Sequence, residues 1–178
     1  MIGGRIGVHG KFRLWCDENH IVGCPFSDMY GFNLTSIKET KASEKRDLVL
    51  EVMIPKGARV LYALLGLRHQ SSANEFEVST LSPPLVSEVF HGSLIENFEV
   101  AHFGLPVEYA AASVAGLTRG LADSNDTNRG RIDICCAAYG DVSSNEPLFE
   151  KVGFALAHLV RLPCKDISEE VIGSFFIN

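Results

Sequence analysis

Two amphipathic stretches with one strand between them constrain this chain most. From Pro106, a stripe of Val107, Ala110, Ala111, Val114, Ala115, Leu117 and Leu121 recurs at helical spacing. Proline suits an opening helical position because its missing donor is not needed there. The stripe is rich in small residues, which let a helix lie close against its neighbour. A second stripe, Leu148, Val152, Ala155, Leu156 and Leu159, follows Ser143 and Ser144, with Glu150, Lys151, His158 and Arg161 on its outer face. Glu146 stands three residues after Ser143, the spacing of a capping box. Between the helices, 124–130 is a polar loop and 131–139 reads as a strand. A strand caught between helices must pair in a sheet that those helices cover, so the chain is expected to be α+β.

The upstream half supplies the other strands. Residues 48–54 form a β-branched run closed by Pro55-Lys56-Gly57, and 58–68 is a second apolar run. Residues 75–81 alternate Phe76 and Val78 with polar neighbours, the period-two pattern of a half-buried strand. Ser82-Pro83-Pro84 ends it, and 94–102 is a further strand candidate with Phe98 and Val100 on one face. Residues 5–15 alternate weakly and read as one or two short strands around Gly10, and 36–46 as a solvated helix or a linker. The expected division is an irregular N-terminal extension over 1–47, packed on an α+β domain over 48–178.

Composition narrows function only by exclusion. The 178 residues are 46% apolar and 21% charged, which is incompatible with wholesale disorder. Sixteen Lys and Arg against 22 Asp and Glu leave a net charge of −6, the wrong sign for a general nucleic-acid coat. No apolar run approaches the length of a membrane span. The start of the chain lacks the pattern of a signal peptide, so a cytoplasmic location is expected. Five cysteines, an odd number, then read as free thiols in a reducing compartment. The C-terminal run Phe175-Phe176-Ile177 is apolar where termini are usually polar. It should pack, either as an added strand or on a neighbouring subunit, and a homo-oligomer is the favoured expectation.

Candidate chemistry is sparse. Gly10-Lys11 imitates the end of a phosphate loop, but Arg5 stands where the first glycine belongs and Phe12 replaces the magnesium-binding hydroxyl. No GTP or ATP hydrolysis, and no cofactor, is expected. Cys16, His20 and Cys24 are spaced four apart and form the weak metal candidate, lacking a fourth ligand and good helix residues between them. Cys135 and Cys136, adjacent on a strand, should point to opposite faces. Glu88, His91, Glu99 and His102 are the acid–base candidates, because a carboxylate beside a histidine can act as a general base. No activated nucleophile accompanies them.

One resemblance covers roughly residues 56–162. The run Asn97-Phe98-Glu99-Val100-Ala101-His102-Phe103-Gly104-Leu105-Pro106-Val107-Glu108-Tyr109 resembles a strand, turn and helix start of domain IV of translation elongation factor G. Tyr139-Gly140-Asp141-Val142-Ser143-Ser144-Asn145-Glu146 is similar to that family's loop before its second helix. The resemblance implies a β-β-β-α-β-α domain with a left-handed crossover and two helices on one sheet face, to which the chain's own N-terminal residues, without counterpart in that family, add extra strands. It also implies contact with RNA or the ribosome, for which Arg119, Arg129 and Arg131 around the inter-helix loop, with Tyr139 and Asp141, are the candidate binding residues. Gly140 departs from the family, which has a histidine there, and no GTPase domain is expected from these residues. A small-molecule enzyme or ligand-binding oligomer using the Glu and His groups is the alternative.

Overall fold

The two central strands are apolar without alternation because both faces of the sheet are covered. The computed structural model describes residues 1–17, 45–71, 77–80, 88–123 and 130–177. Among these, β1 (Ile2–Ile6), β2 (Gly10–Cys16), β3 (Lys45–Lys56), β4 (Arg59–Ser71), β5 (Glu77–Thr80), β6 (Ala101–Phe103) and β7 (Gly130–Gly140) form one sheet. Its order is β1-β2-β3-β4-β7-β5. β7 runs antiparallel to β4, and its outer edge carries β5 in parallel along its first half and β6 antiparallel along its end. The helices are α1 (Val107–Ala122), α2 (Glu146–Leu159) and α3 (Glu169–Ser174). The chain is therefore α+β, and no helix among the described residues is long and apolar enough to cross a membrane.

Parity along β3 sorts the core. Leu48, Leu50 and Val52 join Ala63, Leu65 and Leu67 of β4 in a cluster packed under the helices, with Leu117, Phe149, Val152 and Leu156. Val49 and Met53 face the other way, with Tyr62 and Leu64, into a second cluster roofed by Phe90, Ile95, Ala101 and Phe103. Lys56 pairs with Arg59 across a two-residue turn whose first residue, Gly57, has φ +63°, a conformation that costs glycine little.

α1 and α2 run parallel and unusually close. A Cβ built on Gly116 would land on the carbonyl oxygen of Glu150, one on Gly120 would lie 2.9 Å from the carbonyl oxygen of Phe154, and one on Gly153 would lie 3.2 Å from the amide of Leu117. The contacts advance together along both helices, which fixes the parallel sense. Small residues at this seam let the two backbones meet.

Four expectations are corrected. The segment 94–102 is not a strand. Only Ala101–Phe103 pairs, and the backbone before it closes turns, Phe98 and Glu99 both donating to the carbonyl of Ile95. The helix expected from Ser143 starts at Glu146, capped by Asn145, whose Oδ1 accepts the Leu148 N–H at 2.9 Å. Ser144 instead donates its hydroxyl to the Tyr62 carbonyl at 2.7 Å, tying the loop to β4. Cys135 and Cys136 do not face opposite ways. A β-bulge, where the register jumps between Gly66 and Leu67 of β4, breaks the alternation of β7, and both cysteines pack with the second cluster. The thiols, finally, are not all free. Cys16 is bonded to Cys164, Cys136 is also disulfide-bonded, and Cys135 is a free thiol. The sequence argument set loop-closing bonds aside on the odd cysteine count and the expected compartment, whereas the folded chain brings Cys16 and Cys164 to a Cα–Cα distance of 6.1 Å.

The C-terminus adds no strand. It forms the short α3 against β1, capped by Ser168, and returns Phe176 to the core of its own chain.

Candidate functional site

Glu99, His102, Tyr139 and Asp141 meet at the end of the sheet where β6 pairs with the last residues of β7. His102 stands opposite Tyr139 in the ladder, their rings 6.0 Å apart. The His102 Nε2 lies 3.8 Å from an Asp141 carboxylate oxygen, and its Nδ1 is buried without a hydrogen-bond partner among the described residues. Glu99 closes the cluster from the preceding turn. Its two oxygens accept the N–H groups of Val142 at 2.5 Å and Ser143 at 3.1 Å, so this carboxylate clamps the β7–α2 turn. Gly140 makes the clamp possible, because any Cβ there would collide with the Glu99 carboxylate and the Ser143 hydroxyl.

Apolar side chains surround this polar centre. Val142 is 84% exposed and Phe98 67%, and Val89 and Val100 also face solvent. Val89 bridges to His102, while Phe98 and Val100 flank Glu99 in sequence. Ring contacts continue from Tyr139 to Tyr109 and on to Phe149, which stacks on Tyr109 at 4.7 Å. An open groove of about 750 Å³ lies beyond, between the first turns of α1 and α2, lined by Glu108, Tyr109, Ser144, Asn145, Glu146 and Glu150, among others.

The remaining candidates lie elsewhere. Glu88 and His91 are exposed and make no hydrogen bond or ion pair with the cluster. Arg119 is paired with Glu150 and sits over the Phe154 ring, and Arg131 pairs with Asp133 at 2.8 Å. Arg129, His20 and Cys24 lie outside the described residues. Cys16, Asp17 and Cys164 bring ligand atoms within 4.8 Å of one another, but the two sulfurs are joined and the Arg46 guanidinium rests on both. This group does not suit a cation. Gly10 and Lys11 open strand β2, paired with β3, rather than a loop feeding a helix.

Sequence reading missed Glu51, whose side chain is fully buried in the middle of β3. It accepts the Tyr62 hydroxyl at 3.0 Å and the Leu94 N–H at 2.8 Å, and Arg13 approaches at 3.4 Å. One carboxylate thus pins the 88–103 segment onto the second sheet face. The signal was present: a lone acid in an apolar run that turns out to be covered on both sides. Burial raises the Glu51 pKa above its ordinary 4.5, outweighing the Leu94 amide, Arg13 and Tyr62, which act to lower it. Tyr62 is likewise pushed up by burial and remains a donor. A raised folded-state pKa means stability that is complete below pH 4.5 and lost as pH rises through the folded value. The urea midpoint should therefore fall between pH 4.5 and 7 in the wild type. Glu51→Gln, which keeps the acceptor oxygen, should flatten that part of the profile. An unchanged slope in the variant would place the pH dependence elsewhere.

No protein-family model matches this chain, and no curated protein matches it either.

Proposed function

We propose that this chain is an interaction module without nucleotide hydrolysis, which contacts the ribosome or a similar RNA–protein particle through the β6–β7 end. The observation that supports it most is the meeting of Glu99, His102, Tyr139 and Asp141 within a rim of exposed Val89, Phe98, Val100 and Val142. Exposed apolar side chains gathered in one place beside polar groups mark an interaction surface. The resemblance to elongation factor G domain IV supplies the particle, although the element order β3-β4-β5-β6-α1-β7-α2 has one strand more before α1 than the β-β-β-α-β-α order that it implies.

Electrostatics refines the partner. Glu88, Glu96, Glu99 and Asp141 give this end an acidic character, while Arg119 and Arg131 are engaged by carboxylates. A phosphate backbone would be repelled here, so the face suits a basic protein surface better than bare RNA. The test is co-sedimentation with purified ribosomes and, separately, with protein-free ribosomal RNA. Binding to ribosomes should drop at least tenfold with Phe98→Asp and Val142→Asp and stay unchanged with Arg119→Gln. Absence of wild-type binding at low salt sinks the proposal; equal binding to naked RNA moves the contact to phosphate.

The small-molecule reading draws support from one group, His102, whose buried Nδ1, unpartnered among the described residues, and nearby Asp141 form a histidine–carboxylate pair. Against it, both Glu99 oxygens are occupied by backbone amides. The expected homo-oligomer and cytoplasmic location belong to the same proposal. Burial of Phe176 within its own chain removes much of the apolar surface that suggested association, leaving Val8 and Ile177 exposed beside a groove of about 240 Å³.

A further inference from the structure

At the opposite end of β2 from its turn with β1, two half-buried sulfurs share one guanidinium. Cys16 closes β2, and Cys164 opens a short 3-10 turn (Cys164–Asp166) ahead of α3. The Arg46 Nη2 lies 3.4 Å from the Cys16 sulfur and 3.3 Å from the Cys164 sulfur. Its Nη1 donates to the carbonyls of Val160 at 3.2 Å and Leu162 at 2.9 Å, and its Nε is 3.2 Å from an Asp17 carboxylate oxygen. The fork is thus held on three sides and aimed at the bond between the sulfurs.

We propose that Cys16 and Cys164 are a redox-active pair, opened and closed by thiol–disulfide exchange with a dithiol reductant, with Arg46 as the positioning residue that stabilises the released thiolate. A thiolate of the dithiol attacks one sulfur, the Cys16–Cys164 bond breaks and a mixed disulfide forms. The second thiol of the reductant closes its own disulfide, and two electrons and two protons pass to Cys16 and Cys164. A fixed guanidinium against the sulfurs stabilises the sulfur anion, the condition under which a cysteine reacts. Asp17 opposes it unevenly, its carboxylate being 3.2 Å from the Cys164 sulfur and 3.9 Å from that of Cys16. Cys16 is therefore the sulfur that carries the negative charge. His69 feels Arg46 too, but burial lowers its pKa first and keeps it neutral. Cys135 is the internal contrast: burial pushes its thiol up to about 12, and it should be inert.

The link joins positions 148 residues apart, so its state governs how firmly the C-terminal turn and α3 are tied to β2. In a reducing compartment the pair would stand open, and in an oxidising one closed.

The experiment equilibrates the folded full-length chain in dithiol–disulfide buffers, quenches by alkylation and reads the Cys16–Cys164 cross-link by peptide mass. The cross-link should open and re-form reversibly while the chain stays folded, and the oxidised form should melt about 10 °C higher. Arg46→Gln should shift the equilibrium about tenfold toward the disulfide, about 30 mV. Should Arg46→Gln fail to fold, the pH midpoint of Cys16 alkylation in the reduced wild type decides. A midpoint below the ordinary thiol value near 8.5 supports the proposal. A midpoint at or above it, a bond that opens only on unfolding, or an Arg46→Gln variant with unchanged equilibrium overturns it.

Discussion

Gly116→Ala is expected to destabilise the chain by about 3 kcal/mol or more and to lower Tm by roughly 10 °C. Two effects compete. Alanine favours a helix over glycine by about 1 kcal/mol, which would raise stability if the site were open. It is closed: the new methyl would fall on the Glu150 carbonyl oxygen, part of a backbone that cannot rotate away. The helices must separate, loosening the packing of Leu117, Phe149 and Val152 over the sheet. Gly3→Ala is the control, since a Cβ there meets only the Phe12 carbonyl at an ordinary 3.7 Å. Thermal unfolding of the two variants side by side checks the argument. A Gly116→Ala protein that melts with the wild type would mean that the helices are not in contact at this seam.

Truncation after Ser174 is the second large effect. It removes Phe176, buried in the helix-side core, and Phe175, whose ring contacts Phe154 and His158 at centroid distances of 6.2 and 5.5 Å. Emptying one buried phenylalanine site costs about 3–5 kcal/mol, so Tm should fall by roughly 10 °C even if Phe175 contributes nothing. Exposed Ile177 should add little. Differential scanning calorimetry reads the loss, and light scattering on the wild type reads the mass. An unchanged Tm would show that Phe176 does not occupy the pocket under α3. A wild type that is already monomeric would remove the homo-oligomer from the proposal while leaving this packing intact.

The candidate site was partly legible. Glu99, His102, Tyr139 and Asp141 drew attention as residue types and as positions of a resemblance, and the fold gathers them. The arginines of the same reading fared differently, because Glu150 and Asp133 engage Arg119 and Arg131. Nothing at their own positions signalled those partners. Cys16 was weighed with His20 and Cys24 as near neighbours in sequence, whereas its partner stands 148 residues away.

What the sequence determined by itself was whatever depends on neighbours within a few residues. The stripes of α1 and α2, the runs of β3 and β4 and the turn at Gly57 all follow from local period and backbone preference. Tertiary structure decided everything that needed a distant partner. The bulge in β7 reversed the facing expected for Cys135 and Cys136 because β4 imposed its register. The 94–100 stretch bends into turns, and the Leu94 amide bonds to the buried Glu51 carboxylate rather than to a strand. Of the C-terminal phenylalanines, Phe175 found α2 and Phe176 the core of its own chain. Local periodicity records which side of an element is apolar, but only the assembled chain settles what lies against that side. The physical reason is that burial depends on atoms brought together by folding, many of them more than a hundred residues apart.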